Sequence, residues 1–361
     1  MHNKNTLHSI QALRAFAAIL VVVLHSFVHL QVRHLIPTVP ALVSTGRVGV
    51  DIFFVISGFI MVYISEERFG AKGASSDFLC RRIIRVAPTY WLYSLVMGAL
   101  LFSFPHSFSE GKTFSAAHML ASMSFIPWAN SLGHIKPVLN VGWTLNYEMY
   151  FYCIFAILLL FGRKYMLPLL SLILLSGAMA GALIRPQAPI FSVVTSSLPI
   201  EFLFGCFIAV TYRRRPKLSP ALCLVLIFSG IGMLVMTGVW GAPGVPRAIK
   251  WGTGSALLVA GMLFLESNGK LHVPAFVTAL GNSSYSLYLT HLFTINALGE
   301  AWTLLIGRDY ELFLVVAIAT SVFAGHVAYR LIERPLTSYL HRLYYRSRDR
   351  AAARAQAGLA G

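Results

Sequence analysis

Residues 15–30 read AFAAILVVVLHSFVHL, an apolar run that contains two histidines, His25 and His29. Such a run predicts a membrane helix, because about 20 apolar residues cross the hydrocarbon core of a bilayer. The histidines, and the lack of a small-x-small cleavage site after the run, distinguish it from a secretory signal peptide. We therefore expect a first helix that is retained in the protein and spans the membrane.

Similar runs recur along all 361 residues, of which 57% are hydrophobic and only 12% charged. Soluble domains carry roughly 25% charged residues, and the mean hydropathy here is +0.70, which excludes a water-soluble globule. The sequence predicts an all-α, multi-pass transmembrane helical bundle over residues 1–340, followed by a basic cytoplasmic tail over 341–361. The about ten predicted spans are 9–30, 46–64, 86–105, 142–161, 165–184, 192–212, 219–240, 248–266, 284–306 and 312–332.

The distribution of basic residues predicts the orientation of these spans. The chain has 29 lysines and arginines against 13 acidic residues, and cytoplasmic loops of membrane proteins carry an excess of lysine and arginine. With the N-terminus inside, 21 of the 29 lie on the cytoplasmic side, so both termini are predicted to be cytoplasmic. The tail is predicted to form a juxtamembrane helix on anionic lipid.

The same composition excludes several partners. The net charge of +16 is not gathered on a soluble face or arm, so no nucleic-acid partner is predicted. The four cysteines form no C-x-x-C pair, and neither a disulfide framework nor a metal site is predicted. The longest external connection is 106–141, and its apolar middle, 116–128, is too short to cross the membrane. We expect that segment to lie in the interface or to fold back as a lid.

Ionisable residues inside a span are candidates for function, because each costs on the order of 3 kcal/mol at mid-membrane. In span 1, Arg14 and His25 lie eleven residues apart, which puts them on one helical face about 16 Å apart. Arg14 is either an anion-binding residue at the cytoplasmic edge or a snorkelling anchor. His25 is either a catalytic base in the membrane or a histidine that bonds to a neighbouring helix.

Two further segments carry charge near these residues. Asp51 opens span 2 in GVDIFFVISGF (49–59), at a depth that His25 could share, and an Asp beside a His fixes its tautomer. Gly58, two turns further along, permits close helix approach. Before span 3, Arg82 and Arg85 share a helical face, which predicts either a phosphate-binding pair or plain topology determinants.

The later spans add polar faces. In GWTLNYEMYFY (142–152), Thr144, Glu148 and Tyr152 form a polar stripe beside an aromatic one. Interfacial aromatic belts explain the aromatic residues but not Glu148, which we expect to face the bundle interior. In span 9, Ser284, Tyr288 and His291 share one face. Two more acidic residues are interpreted as structural: Glu201, and Glu333, for which an ion pair within its own helix is expected.

Five of these segments, in this order, resemble the acyltransferase 3 family of integral membrane O-acyltransferases of surface glycans. They are Arg14-x10-His25, GVDIFFVISGF, Arg82-x-x-Arg85-Val-x-Pro88, GWTLNYEMYFY and GNSSYSLYLTH. The WTLNYE form is similar to the exopolysaccharide (ExoZ-like) subgroup. Many members carry a second acidic residue where this chain has Met149.

The resemblance implies transfer of an acyl group, most often acetyl, from cytoplasmic acyl-CoA to a hydroxyl of a surface-glycan or lipid-linked sugar, in the bacterial inner (cytoplasmic) membrane. A sugar hydroxyl is too weakly acidic to attack a thioester unaided, so a general base is needed. We expect His25, Asp51 and Glu148 to be catalytic and Arg14, Arg82 and Arg85 to bind the phosphates of acyl-CoA. The residues expected to bind the sugar are Trp143, Asn146, Tyr147, Tyr288 and His291.

Two other classes of function are weighed against this one. In a proton-coupled secondary transporter or lipid-linked glycan flippase, His25, Asp51 and Glu148 would form a proton relay. The sequence has no inverted repeat, which disfavours that class. A polyprenyl-linked glycosyltransferase is disfavoured because no acidic metal-binding pair is evident. The sequence does not assign an oligomeric state.

Overall fold

The computed structural model describes residues 7–104, 114–214, 216–305 and 309–359. Within those ranges the chain is helical, with one isolated bridge between Ala129 and Ile135 and no strand, so the predicted all-α class is confirmed. The helices are α1 (His8–Val32), α2 (Ala41–Ser44), α3 (Val48–Ser65), α4 (Ala74–Ser103), α5 (Ala116–Met123), α6 (Trp143–Leu158), α7 (Arg163–Ile184), α8 (Pro189–Val194), α9 (Ile200–Arg213), α10 (Pro220–Trp240), α11 (Thr253–Ser267), α12 (Ala275–Leu305), α13 (Tyr310–Ala328) and α14 (Arg334–Leu359).

Each of the ten predicted spans overlaps one of these helices. Seven helical segments of the described chain are long and apolar enough to cross a membrane, namely 8–32, 41–68, 74–103, 163–184, 220–240, 248–267 and 310–350. The other three predicted spans correspond to α6, α9 and α12. Helices α6 and α9 have only 16 and 14 residues, and α12 carries the polar stretch GNSSYS.

Two helices begin earlier than the sequence predicts. Helix α4 starts at Ala74 rather than near residue 86, after Gly73 in a left-handed conformation with φ of 74°. Helix α12 starts at Ala275 rather than near 284. The arginine segment that the spans left in a loop is therefore the first part of a membrane helix.

Close contacts fix the relative directions of the helices. At one end of α1, the backbone of Gln11 lies against Gly281 of α12, and at the other end His29 lies against Gly299, so α1 and α12 run parallel. Helix α3 runs antiparallel to α1, because Gly46, just before α3, faces Leu20, whereas Gly49 of α3 faces Ala17. Below, the end with Arg14, Arg82 and Arg85 is called the arginine end. The end with His25, His29 and Asp51 is called the histidine end.

Helix α3 lies at the centre of the bundle. In an apolar 18-residue stretch of segment 41–68, which contains α3, 72% of residues are buried, against 11% and 17% in the corresponding stretches of α7 and α10. Helix α3 is therefore enclosed by protein, whereas α7 and α10 are peripheral. The predicted close approach at Gly58 is present, because its Cα faces the backbone of Phe202 in α9. Without a side chain at Gly58 the two helices pack backbone to backbone.

The long connection folds back on α4. In its described part, Trp91 Nε1 donates to the carbonyl of Met123 at 2.7 Å, and Phe125 stacks on Tyr90 with ring centroids 5.1 Å apart. Residues 106–113 of the connection lie outside the described residues. Helix α14 continues from α13 through a π-helical turn (Tyr329–Glu333), so the boundary predicted at 340/341 falls inside a helix.

Candidate active site

A cavity of about 160 Å³ lies between α1, α3, α4, α6 and α12. All five segments that the sequence analysis singled out contribute residues to its lining, including the predicted polar stripe of α6. The polar and charged side chains that line it are Arg14, Ser57, Arg82, Arg85, Thr144, Glu148, Tyr152, Ser284, Tyr285 and Tyr288. The two-faced pattern of α6 therefore marks the side of the helix that points into the bundle.

Arg85 is paired with a carboxylate that the sequence analysis placed elsewhere. Glu333, which is fully buried, accepts from Arg85 through one oxygen and from the backbone N and the hydroxyl of Ser286 through the other, at 3.1 and 2.6 Å. The prediction that Glu333 forms an ion pair within its own helix is therefore wrong. The π-helical turn directs Glu333 inward, whereas Arg330 lies beside His326 at 3.5 Å.

The other two cavity arginines have weaker partners. The hydrogen bond of Arg14 goes to Gln11 on its own helix, at 3.4 Å. Nε of Arg82 is buried and has no partner in the described part of the chain, and its guanidinium lies 5.8 Å over the ring of Phe78. A buried polar donor without a partner is costly. The arginine end therefore has donors available for an anionic ligand.

Glu148 is the carboxylate that faces this cavity. It accepts from Ser57 of α3 at 3.2 Å and from the hydroxyl of Tyr152 one turn along α6. Because Arg85 is already neutralised by Glu333, the remaining charges are those of Arg14, Arg82 and Glu148. The cavity keeps a surplus of positive charge, and phosphate groups fit that surplus.

His25 forms a pair with His291 at the histidine end. His25 Nδ1 lies 2.9 Å from the carbonyl of Val21 and 3.2 Å from His291 Nε2, and His291 Nδ1 lies 3.2 Å from the carbonyl of Leu287. A carbonyl only accepts, so the proton of each ring is assigned to Nδ1. His25 Nε2 then carries the lone pair. No described residue makes a hydrogen bond to that nitrogen, so it can accept a proton.

Tyr288 connects the histidines to the cavity. Neither histidine is among the residues that line the cavity, but Tyr288 lines it and its ring centroid lies 6.0 Å from that of His291. The Tyr288 hydroxyl donates to the carbonyl of Val141 at 2.8 Å and lies 3.1 Å from the hydroxyl of Thr144. The His25–His291 pair and the positive cavity are therefore neighbouring parts of one bundle interior.

Asp51 does not lie beside His25 as the sequence predicts. Both of its oxygens accept from Arg247, from Nε and from a terminal nitrogen, each at 2.9 Å, and Asp51 is fully buried. Arg247 comes from the connection between α10 and α11, which no sequence pattern links to α3. The ring of His25 is held instead by Val21 and His291.

Glu201 lies at the same end and is fully buried. Its carboxylate oxygens meet no geometric hydrogen-bond criterion among the described residues, but the carboxylate interacts with that of Asp51 and with the charge of Arg247, and its side chain packs on Gly252. The sequence interpretation of Glu201 as structural is not contradicted by these contacts.

The residues of α6 expected to bind sugar lie near Arg247. Trp143 packs edge-on against Tyr147 with centroids 5.9 Å apart, and the Arg247 guanidinium lies 5.8 Å over the Trp143 ring. Asn146 is buried, and its Oδ1 has no partner in the described ranges. The predicted sugar residues thus fall into two places: these three at the histidine end of α6, and Tyr288 with His291 on α12.

Several site residues were missed by sequence reasoning, namely Arg247, Glu333 as the partner of Arg85, Ser57 and Tyr285. Glu333 had a signal, since it is an acidic residue directly after an apolar run. Arg247 had none. In the described ranges, no group of three His, Cys, Asp or Glu side chains could hold a metal ion.

The sequence profile described as the acyltransferase domain, that of the acyltransferase 3 family, matches residues 7–330. The chain belongs to this family. Its apolar helices and its membership make it a membrane acyltransferase.

Three relatives agree with this assignment. ExoZ of Rhizobium meliloti strain 1021, named an exopolysaccharide production protein, is 35% identical over 88% of this chain and 95% of its own length. YrhL of Bacillus subtilis strain 168, provisionally named a peptidoglycan O-acetyltransferase, is 26% identical over 83% of this chain and 52% of its own length. BcsY of Komagataeibacter xylinus, provisionally named a membrane-bound transacylase, is 26% identical over 97% of this chain and 88% of its own length. No solved structure matches the chain significantly.

Proposed function

We propose that this protein is an O-acyltransferase of the bacterial inner membrane that moves an acetyl group from cytoplasmic acyl-CoA to a hydroxyl of an exopolysaccharide or similar surface glycan. The observation that carries the proposal is the arrangement of the site. A cavity with surplus positive charge lies at one end of the bundle, and a histidine with a free Nε2 lies further along the same interior. The names of ExoZ and YrhL support a glycan acceptor.

The donor fits the charges of the arginine end. Acyl-CoA carries its phosphates at one end of a long neutral arm, with the thioester at the other. Arg14 and Arg82 bind the phosphates, since Arg14 has one long hydrogen bond within its own helix and Nε of Arg82 has no partner among the described residues. Arg85 is held by Glu333 and contributes its remaining nitrogens. The neutral arm then runs past Glu148 and Tyr288 toward His25.

His25 supplies the base. As the sugar oxygen attacks the thioester carbonyl, His25 Nε2 takes the hydroxyl proton and a carbon–oxygen bond forms. The carbon–sulfur bond then breaks, His25 returns the proton to the sulfur, and CoA leaves as its thiol. Val21 and His291 keep the ring in the tautomer that this step needs. Asp51 acts at a distance, because it holds Arg247 over Trp143.

The acceptor is met at the histidine end. Trp143 and Tyr147 offer aromatic surface to the apolar face of a sugar, and Asn146 offers an amide oxygen that lacks a partner. These residues lie at the end of α6 that is near the Asp51–Arg247 pair. The glycan therefore approaches from the side opposite to the donor.

The test is transfer by the purified protein. We expect radiolabel from acetyl-CoA to appear on an added glycan, and His25→Ala to lower the rate by about 10²- to 10⁴-fold, which is typical for loss of a general base. His29→Ala is the matched control. His29 lies one turn further along α1, bonded to Asn296 at 3.1 Å and stacked on Phe313, so this variant should keep activity.

Activity of His25→Ala within threefold of the unchanged protein would remove His25 as the base. A purified protein that transfers no acetyl group to any glycan, but moves protons or lipid-linked sugars across vesicles, would identify a transporter or flippase.

A further inference from the structure

The basic tail helix α14 packs on the arginine end. The Tyr344 hydroxyl donates to Asp77 at 3.0 Å, and Arg348 forms an ion pair with the same carboxylate. Asp77 lies in the first turn of α4, is buried, and also binds Arg68 and Arg81. One buried carboxylate therefore fastens the tail to the helix that carries Arg82 and Arg85.

An aromatic pair of α14 stands beside these arginines. His341 and Tyr345 are four residues apart and stack with centroids 6.2 Å apart and planes 24° apart. The guanidinium of Arg81 lies 5.2 Å over the Tyr345 ring. Nδ1 of His341 is buried with no partner in the described part of the chain, and His341 feels the charges of Arg81, Arg82 and Arg85.

Contact with lipid alone does not explain the orientation of α14. A helix that only rests on anionic lipid would direct its basic and aromatic side chains away from the bundle. Here Tyr344 and Arg348 point to Asp77, while Tyr345 is 40% exposed beside Arg81. The tail also lies outside residues 7–330, which the family profile matches, so the resemblance assigns it no role.

We propose that α14 forms part of the donor site and binds the adenine nucleotide end of acyl-CoA. The adenine ring packs against the exposed part of Tyr345, and the phosphates of the nucleotide reach Arg81 and Arg82. Planar bases stack on aromatic rings, and phosphates bind guanidinium groups. His341 holds Tyr345 in place, and a ligand nitrogen or oxygen would satisfy its Nδ1. This inference rests on the proposed function, because it takes acyl-CoA as the donor.

The test compares two donors on the full-length protein. Acetyl-CoA carries the nucleotide, whereas acetyl-pantetheine has the same thioester and arm without it. We expect Tyr345→Ala to raise KM for acetyl-CoA about tenfold, as loss of one stacking contact does, and to leave kcat and the use of acetyl-pantetheine unchanged. Tyr345→Phe keeps the ring and should behave as the unchanged protein.

Tyr339→Ala is the control for aromatic loss on the same helix, because Tyr339 is 54% exposed and makes no hydrogen bond or ring contact with another described residue. An equal rise of KM for both donors, or an effect of Tyr345→Ala that changes with the anionic lipid content of the vesicles, would make α14 a lipid-binding helix and overturn the inference.

Equilibrium dialysis with labelled CoA separates the inference from the proposed function. If the unchanged protein binds CoA, and Tyr345→Ala weakens binding of CoA but not of pantetheine, the inference stands even where no transfer to a glycan occurs. If the unchanged protein binds no CoA, both are overturned. If the protein transfers acetyl groups and Tyr345→Ala does not alter KM for the donor, the inference is overturned and the proposed function stands.

Discussion

The two arginines of the pair on α4 should differ sharply when each is replaced by alanine. Arg85 neutralises Glu333, which is fully buried, whereas Arg82 has an unpartnered Nε and a contact with the Phe78 ring. Arg85→Ala leaves a carboxylate in the bundle interior with hydrogen bonds from Ser286 only. Arg82→Ala removes a positive neighbour of Glu148, but Glu148 keeps its hydrogen bonds from Ser57 and Tyr152 and shares the cavity with Arg14.

The size of the difference follows from the burial of the pair. Removing one partner of a buried ion pair costs about 3–5 kcal/mol. Arg85 is itself 31% exposed, so we take the lower value, about 3 kcal/mol. For a chain of this size, that loss should lower Tm by on the order of 5 °C. Arg82→Ala should stay within about 2 °C of the unchanged protein while it weakens donor binding.

Thermal unfolding of the detergent-purified variants, followed by size-exclusion chromatography after heating, measures this difference. Arg85→Ala combined with Glu333→Gln should recover at least half of the lost Tm, because the neutral amide needs no counter-charge. Equal Tm values for Arg82→Ala and Arg85→Ala, or no recovery in the double variant, would refute the assignment of Glu333 as a buried partner of Arg85.

Two further outcomes are expected. Arg247→Met should lower Tm by a similar amount, since it leaves Asp51 fully buried without its partner. Adding Asp51→Asn should restore most of the lost Tm in the same assay. An unchanged Tm for Arg247→Met alone would contradict the ion pair. In right-side-out vesicles of a variant whose only cysteine is Cys80, an impermeant thiol reagent should label the protein only after the vesicles are opened, and acyl-CoA should then protect Cys80. Labelling of intact vesicles would reverse the proposed topology and the donor path.

Helical faces were predictable from spacing alone. Thr144, Glu148 and Tyr152 were assigned to one face of α6, and all three line the cavity. Arg82 and Arg85 were assigned to one face of α4, and both line it as well. The reason is that a period of 3.6 residues sets which side chains share a face, whatever the helix packs against.

The partners across the bundle were not predictable in the same way. Asp51 was expected beside His25 because the two lie at a similar depth, yet Arg247, 196 residues away in sequence, takes both carboxylate oxygens. His25 instead meets His291, 266 residues away. Depth along a helix axis limits the possible partners but does not select one of them.

Hydropathy and spacing were enough to predict an all-helical membrane bundle and to show which ionisable residues share a helical face, and the motifs were enough to indicate the acyltransferase family. The contacts between helices became known from the folded bundle: Glu333 neutralises Arg85, His291 holds His25, and the tail helix is fastened to Asp77. The nature of the solvent explains this difference. Lipid is as apolar as the side chains that face it, so hydropathy places a helix in the membrane without saying which neighbour it meets. That choice is made by small residues such as Gly58, which let backbones approach, and by buried charges that must find a partner.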